Sequence, residues 1–203
     1  TRLAAGGEAT AGALAEAGLT ADLVPYPQFN SEALLADPRL EKVFVVLAQG
    51  DMRGAALFEG NSKVTCLPVA GEERANTVLN ALNHLLNNFI VNETDWILVH
   101  DAARPGLNSV ALATLIDQAS EHVAGGLLAM PVVDTLKKGN VAEEGEVVAQ
   151  HTVPRSQLWT AQTPQMFRAQ ALSLAISECL FKGVQLTDDA SAIETMGIGP
   201  LIV

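Results

Sequence analysis

Short runs dominated by apolar, often β-branched residues alternate along this chain with longer stretches of helical spacing, and few folds accommodate that alternation. The runs are KVFVVLA (Lys42 to Ala48), VTCLPV (Val64 to Val69), WILVHDA (Trp96 to Ala102), GGLLAMPVV (Gly125 to Val133) and the closing PLIV. Between them, Arg74 to Phe89 places Val78, Leu82, Leu85 and Phe89 at helical intervals, with Asn80, Asn83 and Asn87 facing elsewhere. Ser109 can cap a helix reaching about Glu121, striped by Val110, Leu112, Leu115 and Ile116. Arg168 to Lys182 reads as a long helix stopped by Gly183. Asp188 to Met196 reads as a short one, with Thr187 in a capping position. Strands that are apolar along their whole length need cover on both faces, so the expected class is α/β, with a mostly parallel sheet flanked by helices. With 203 residues, 49% of them hydrophobic, the chain can bury one sizeable core and is expected to form a single domain over 1–203. Ligands of such sheets collect at the carboxyl ends of the strands, where Asp101 and Arg104 follow WILVH.

One region breaks the alternation. Lys137 to Arg155 is polar, contains KKGN and EEGE, and then gives VVAQHTV with strand-like alternation. It predicts a β-hairpin arm over 134–155 projecting from the domain. An isolated hairpin is at best marginally stable, so the arm is expected to lie against something, with a second subunit the natural candidate. Residues 1–40 carry the weakest pattern.

Charge narrows the function classes. The formal net charge is −11, which argues against a broad nucleic-acid or anionic-membrane partner. A phosphorylated small substrate needs only a few basic groups at one pocket. No apolar run approaches the roughly 18 residues of a membrane span, and the chain opens without a signal-peptide pattern. Cys66 and Cys179 are far apart and show no metal-ligand spacing, which fits two buried thiols in a cytoplasmic protein.

Several motifs could carry chemistry. In GEERANTV, Gly71 follows a strand and Arg74 opens a helix, so backbone N–H groups could meet an anion or a base edge. The plain alternative is a strand-to-helix turn with acids set favourably for the helix dipole. In HDAARP, Asp101 could hold a divalent ion or a ribose hydroxyl, Ala102 and Ala103 leave room, and Arg104 could grip a phosphate. Equally, Asp101 and Arg104 could form a loop ion pair. His100 reads as a packed strand residue. Arg155 is an exposed cation on the arm, and Thr163-Pro164-Gln165 reads as a rigid turn bearing a hydroxyl. LTDDASAIE puts Thr187, Asp188 and Asp189 at a helix start, an arrangement an ordinary N-cap would also produce.

In order, GEERANTVLNAL, WILVHDAARP, PVVDTLKK, HTVPRSQLWTAQTPQMF and LTDDASAIE resemble the 2-C-methyl-D-erythritol 4-phosphate cytidylyltransferases of isoprenoid biosynthesis, over roughly residues 34–203. Ribitol-phosphate cytidylyltransferases are near relatives, but HTVPRSQLWTAQTPQ is closer to the methylerythritol branch. The resemblance implies a Rossmann-like nucleotidyltransferase sheet and transfer of a cytidylyl group from CTP, with Mg²⁺ accompanying the nucleotide and pyrophosphate leaving. It implies that Gly71, Glu72, Arg74 and Thr77 form the cytosine and ribose pocket, and that Asp101 and Ala102 line the nucleotide and the polyol hydroxyls. Arg104, Thr163 and Thr187 are then placed around the substrate phosphate. Thr135 and Arg155 match positions supplied by the arm of the other subunit, so the implied enzyme is a homodimer with shared sites.

The resemblance weakens at both ends. The family opens with a strand and a Gly-rich phosphate loop, then a Pro-Lys-Gln-aromatic motif. Here TRL (Thr1 to Leu3) is similar to the tail of such a loop, which makes Arg2 the candidate catalytic cation. YPQF (Tyr26 to Phe29) resembles the second motif without its lysine, and AAGG (Ala4 to Gly7) has no strand before it. The family also continues past PLIV with a lysine-bearing segment. A polypeptide of these 203 residues alone is therefore expected to be severely impaired in catalysis. The alternatives to the leading reading are another alditol-phosphate cytidylyltransferase and a nucleotide-binding relative with weakened chemistry.

Overall fold

The computed structural model describes residues 32–203, apart from 105 and 142–144. Arg2, the TRL and AAGG segments and YPQF lie outside the described residues. In chain order the elements are α1 (Glu32–Ala36), β1 (Val43–Val46), α2 (Met52–Ala56), β2 (Val64–Leu67), α3 (Arg74–Asn87), β3 (Trp96–Val99) and α4 (Ser109–Ser120). Then follow β4 (Gly126–Pro131), β5 (Leu136–Val141), β6 (Val147–Val153), β7 (Trp159–Arg168), α5 (Ala169–Phe181), α6 (Asp189–Glu194) and β8 (Leu201–Ile202).

Among the described residues, β1 and β2 form a parallel pair, and a mixed sheet runs in the order β3-β7-β4-β8. In it β3, β4 and β8 point one way and β7 alone runs against them. The apolar runs do what the sequence predicts, because successive residues face opposite sides of a sheet. Ile97 and Val99 of β3 join Leu127 and Phe167 in a core sealed by Leu82 of α3, by Leu172, Ala175, Ile176 and Cys179 of α5, and by Ala190, Ala192 and Ile193 of α6. Trp96 and Leu98 turn the other way and meet Met166, with Leu115 and Ala119 of α4, in a second core. Both faces are thus covered, and an α/β, Rossmann-like architecture results.

Four local expectations need correction. Thr163-Pro164-Gln165 is not a turn but the middle of β7, hydrogen-bonded to strands on both sides. Proline has no N–H for a ladder, which argues against a central strand. It is tolerated here because β7 carries extra residues at this point: Leu127 pairs with Gln165, but Ala129 pairs with Ala161. The cap of α4 is Asn108, whose side chain accepts from the N–H groups of Val110 and Ala111; Ser109 is the first helical residue. The cap of α6 is Asp188, in a reciprocal capping box with Ser191, so Thr187 lies one residue outside. Finally, α3 ends at Asn87, and Phe89 leaves the helical face with φ 55° and a side chain open to solvent.

The arm exists as a hairpin. β5 and β6 pair only with each other in their sheet, and Val141, Val147 and Val148 stand exposed on them.

Candidate active site

The loop between β2 and α3 is closed by one hydroxyl. Thr77 Oγ1 accepts from the Gly71 N–H at 2.9 Å, which folds the loop over the first turn of the helix. Gly71 has to be glycine here, since a Cβ would stand 2.5 Å from Asn76 Cβ and 2.9 Å from the Asn76 carbonyl carbon. Glu73 precedes the helix without a side-chain cap, and Glu72 is exposed. The leading N–H groups of α3 are therefore not claimed by a cap from Glu73.

Arg74, the first residue of α3, turns inward. Its Nη1 and Nη2 donate to the two carboxylate oxygens of Asp189 at 3.1 and 2.6 Å, and its Nε donates to Asp101 Oδ1 at 2.8 Å. Asp189 is 1% exposed, a charge that could not lie so deep without such a fork. Burial pushes the Asp189 carboxyl above its ordinary range, against the opposing pull of Arg74. Burial also opposes the charge on Arg74, but its bonds to Asp189 and Asp101 outweigh it and hold the guanidinium more firmly protonated than usual.

Asp101 lies just past β3 and joins two arginines. Its second oxygen accepts from Arg104 Nε at 3.2 Å, while Arg104 Nη1 donates to Gln162 Oε1 at 2.7 Å. Burial acts to raise the Asp101 carboxyl, but Arg74 and then Arg104 override it and hold it below its ordinary value. The expected loop ion pair is present, but it is one link in a larger network. Ala102 and Ala103 beside it are exposed and leave the carboxylate open to a ligand.

The third side is built from β7 and α6. Gln165, 1% exposed, accepts from the Ala190 N–H at 2.8 Å and donates to Asp188 Oδ2 at 2.8 Å, so it fastens the start of α6 to the sheet. The resulting cleft, of about 260 Å³, is lined by Arg74, Asp101, Arg104, Ala161, Gln162, Thr163, Gln165, Thr187 and Asp188.

Of the residues expected from the sequence, Arg74, Asp101, Arg104, Thr163 and Thr187 thus come together around one cleft. Gly71 and Thr77 fix the loop that presents Arg74. Thr163 faces the cleft, but its hydroxyl is engaged inward, with the Asp101 N–H at 3.1 Å and His100 Nδ1 at 2.9 Å. Thr135 and Arg155 are exposed on and beside the arm and do not line this cleft. Sequence reasoning passed over Gln162, and it noted Asp189 only as part of a helix start and Gln165 only as part of a turn. An acid behind a helix cap carries no sign that it is buried, and only the distant Arg74 explains it.

Among the described residues no group of three or more His, Cys, Asp or Glu side chains could hold a metal, and no helix is long and apolar enough to cross a membrane.

Comparison with known proteins places this cleft in context. Residues 28–203 match the family model described as IspD: 2-C-methyl-D-erythritol 4-phosphate cytidylyltransferase. A protein of that name from Nitrosospira multiformis is 46% identical over 172 residues, 84% of this chain and 72% of the relative. One from Thiobacillus denitrificans is 39% identical over 202 residues, 98% of this chain and 84% of the relative, so similarity extends into the region before residue 28. A crystal structure of 4-diphosphocytidyl-2C-methyl-D-erythritol synthase is 40% identical, with a TM-score of 0.74 over 84% of this chain and 76% of that one. The 2-C-methyl-D-erythritol 4-phosphate cytidylyltransferase of Francisella tularensis is 31% identical, with a TM-score of 0.70 over 86% of this chain and 76% of that one.

Proposed function

This chain belongs to the 2-C-methyl-D-erythritol 4-phosphate cytidylyltransferase family, and we propose on that basis that it transfers a cytidylyl group from CTP to 2-C-methyl-D-erythritol 4-phosphate. A phosphate oxygen of the polyol attacks the α-phosphorus of CTP. The bond from that phosphorus to the bridging oxygen breaks, and pyrophosphate departs. The observation that carries the assignment of the site is the Arg74–Asp101–Arg104 network, which sets two guanidiniums on one carboxylate at the sheet edge.

The geometry supports a set of roles. The Gly71–Thr77 loop and the uncapped start of α3 offer backbone N–H groups to the cytosine and ribose. Asp101, held from both sides, is a fixed acceptor for hydroxyls, with the exposed Ala102 leaving space for them. Arg104 is 45% exposed and uses Nε and Nη1 within the protein, which leaves Nη2 for the substrate phosphate beside Thr187. Catalysis of this kind rests on placing two phosphates together and stabilising the charge that develops, with no covalent protein intermediate. Arg2 is the candidate for part of that charge stabilisation. Magnesium would accompany the triphosphate of CTP, as a hard cation that binds largely through phosphate oxygens. The hairpin arm would complete the site of a second copy through Thr135 and Arg155, which makes the active form a homodimer. A cytoplasmic location is part of this reading.

The test is incubation with CTP, Mg²⁺ and either methylerythritol phosphate or ribitol phosphate, with pyrophosphate release recorded. Turnover of the first substrate at least ~100-fold more efficient than the second is expected, a margin that a site built to pair specific hydroxyls can supply. Equal turnover of both would favour a general alditol-phosphate enzyme. Binding of CTP without turnover of either would leave a nucleotide-binding relative.

A further inference from the structure

We propose that His100 is a positioning residue: through the Thr163 hydroxyl it fixes the backbone of Asp101, and with it the direction from which Asp101 bridges Arg74 and Arg104. The inference rests on the function proposed above for its catalytic consequence, but not for its chemistry.

Two hydrogen-bonding groups meet at the Thr163 hydroxyl. The Asp101 N–H donates to Thr163 Oγ1 at 3.1 Å, and the same oxygen lies 2.9 Å from His100 Nδ1. His100 Nε2 is buried with no hydrogen-bond partner among the described residues. Two proton arrangements fit these distances. If Nδ1 carried the proton, it would donate to Oγ1. The threonine O–H would then have no partner, although Thr163 is 7% exposed, and the Nε2 lone pair would be bare as well. If Thr163 instead donates to Nδ1, its oxygen accepts from Asp101 and every group at the junction is paired, with only Nε2–H unmet. Unpaired buried polar groups are costly, so the second arrangement is favoured. It makes His100 a neutral imidazole protonated at Nε2. Burial pushes this imidazole below its ordinary value, against the pull of the Asp101 carboxylate, which agrees with a neutral ring.

The consequence is directional. Without the histidine acceptor the threonine hydroxyl is free to rotate away, and Asp101 loses the hydrogen bond that holds its backbone N–H. Arg74 keeps its two bonds to Asp189, so the nucleotide side is buttressed. Among the described residues Arg104 is held by Asp101 and Gln162 alone, so the phosphorylated-alcohol side is less firmly buttressed.

The full chain, wild type and as Thr163→Val, Thr163→Ser, His100→Leu and His100→Asn, is examined by ¹⁵N NMR of the imidazoles, thermal unfolding and steady-state kinetics. The wild-type His100 resonances, identified by their loss in His100→Asn, are expected to show a neutral ring protonated at Nε2 with a hydrogen-bonded Nδ1. Thr163→Val is expected to move the Nδ1 resonance and Thr163→Ser to restore it. Thr163→Val and His100→Leu should each raise KM for the polyol phosphate about 10-fold, the scale of one lost hydrogen bond, and leave KM for CTP within about 3-fold. His100→Asn, which keeps an oxygen acceptor near the position of Nδ1, should stay within about 3-fold of wild type for both, and Thr163→Ser, which keeps the hydroxyl, should be clearly less impaired than Thr163→Val. A wild-type His100 protonated at Nδ1, a Thr163→Ser variant as impaired as Thr163→Val, or equal rises in both KM values would overturn the proposal. Absence of cytidylyl transfer in the wild type would overturn the function instead, and the imidazole resonances would still decide the positioning.

Discussion

Asp189 tests whether the network at Arg74 is more than a surface ion pair. Replacing it with Asn keeps the volume and one acceptor oxygen, removes the charge and turns an NH₂ group toward a guanidinium. Arg74 then falls from three charge-assisted hydrogen bonds to two at most, one of them to a neutral oxygen. Such bonds contribute roughly 1.5–3 kcal/mol each where water is excluded. Arg74 is 36% exposed, so water recovers part of the loss, whereas Asp189 at 1% exposure recovers none. The balance is a destabilisation of about 2 kcal/mol, below the 3–5 kcal/mol cost of breaking a fully buried pair. For a chain of this size it lowers Tm by roughly 4–8 °C. A double-mutant cycle separates the pair from its surroundings: Asp189→Asn, Arg74→Gln and the double variant are compared by urea denaturation at constant m. A coupling of roughly 1.5–2 kcal/mol is expected. CTP affinity should weaken about 10-fold in Asp189→Asn, because the bidentate partner that fixes Arg74 is gone. A coupling below about 0.5 kcal/mol would show that Arg74 and Asp189 act independently, and the account of why an acid is buried there would fail.

Two further outcomes follow from the same geometry. Gly71→Ala forces a Cβ to within 2.5 Å of Asn76 Cβ and must open the loop clasped by Thr77. A stability loss of roughly 1–3 kcal/mol, with kcat/KM for CTP down at least ~10-fold, is expected by denaturation and kinetics, and full activity would show that the loop does not shape the nucleotide pocket. Asp37 is held down to about 2 by the Arg39 guanidinium, which also reaches Asp117 on α4. A carboxyl whose folded value is depressed contributes stability above its unfolded value, here 3.8, and loses it as pH falls from there toward 2. Urea midpoints should therefore fall less steeply below about pH 4 in Asp37→Asn than in wild type, and identical slopes would contradict the pairing.

Much of this fold was legible because burial on both faces leaves a plain mark. A run such as WILV has no polar face, so it must lie inside a covered sheet, and Ile97 and Val99 do meet one core while Trp96 and Leu98 meet the other. The strand that escaped, β7, contains Gln162, Thr163, Pro164 and Gln165 at the centre of the sheet, where local propensity argues against a strand. Its two neighbours and a local bulge overrule that propensity, and the bulge is also what turns Gln162 and Thr163 toward the cleft. The site was legible to the extent that its residues stand next to each other in motifs: Asp101 with Arg104, Gly71 with Arg74 and Thr77. What was hidden is pairing at a distance. Asp189 meets an arginine 115 positions away, and Gln165 meets Asp188 from another element. No spacing rule reaches across such intervals.

Charge at the cleft gives the strongest reason to look beyond one subunit. Two guanidiniums, Arg74 and Arg104, stand among three carboxylates, Asp101, Asp188 and Asp189, so the described part of the site carries no surplus of positive charge. A substrate phosphate and a triphosphate must both be held there under the proposed function, and like charges crowded together need imported cations. Arg155, exposed beside an arm that buries little of itself, is a fitting source if the arm belongs to the neighbouring copy. Subunit mixing decides this. Arg104→Ala and Arg155→Ala should each be nearly inactive with the polyol phosphate and retain CTP binding. Unfolded and refolded together in equal amounts, half the dimers are hybrids, and each hybrid has one body with Arg104 facing one arm with Arg155. About one quarter of wild-type activity should return from that statistical assortment. A mixture no more active than its components, with hybrids demonstrated by mass, would mean that each arm serves its own subunit or none.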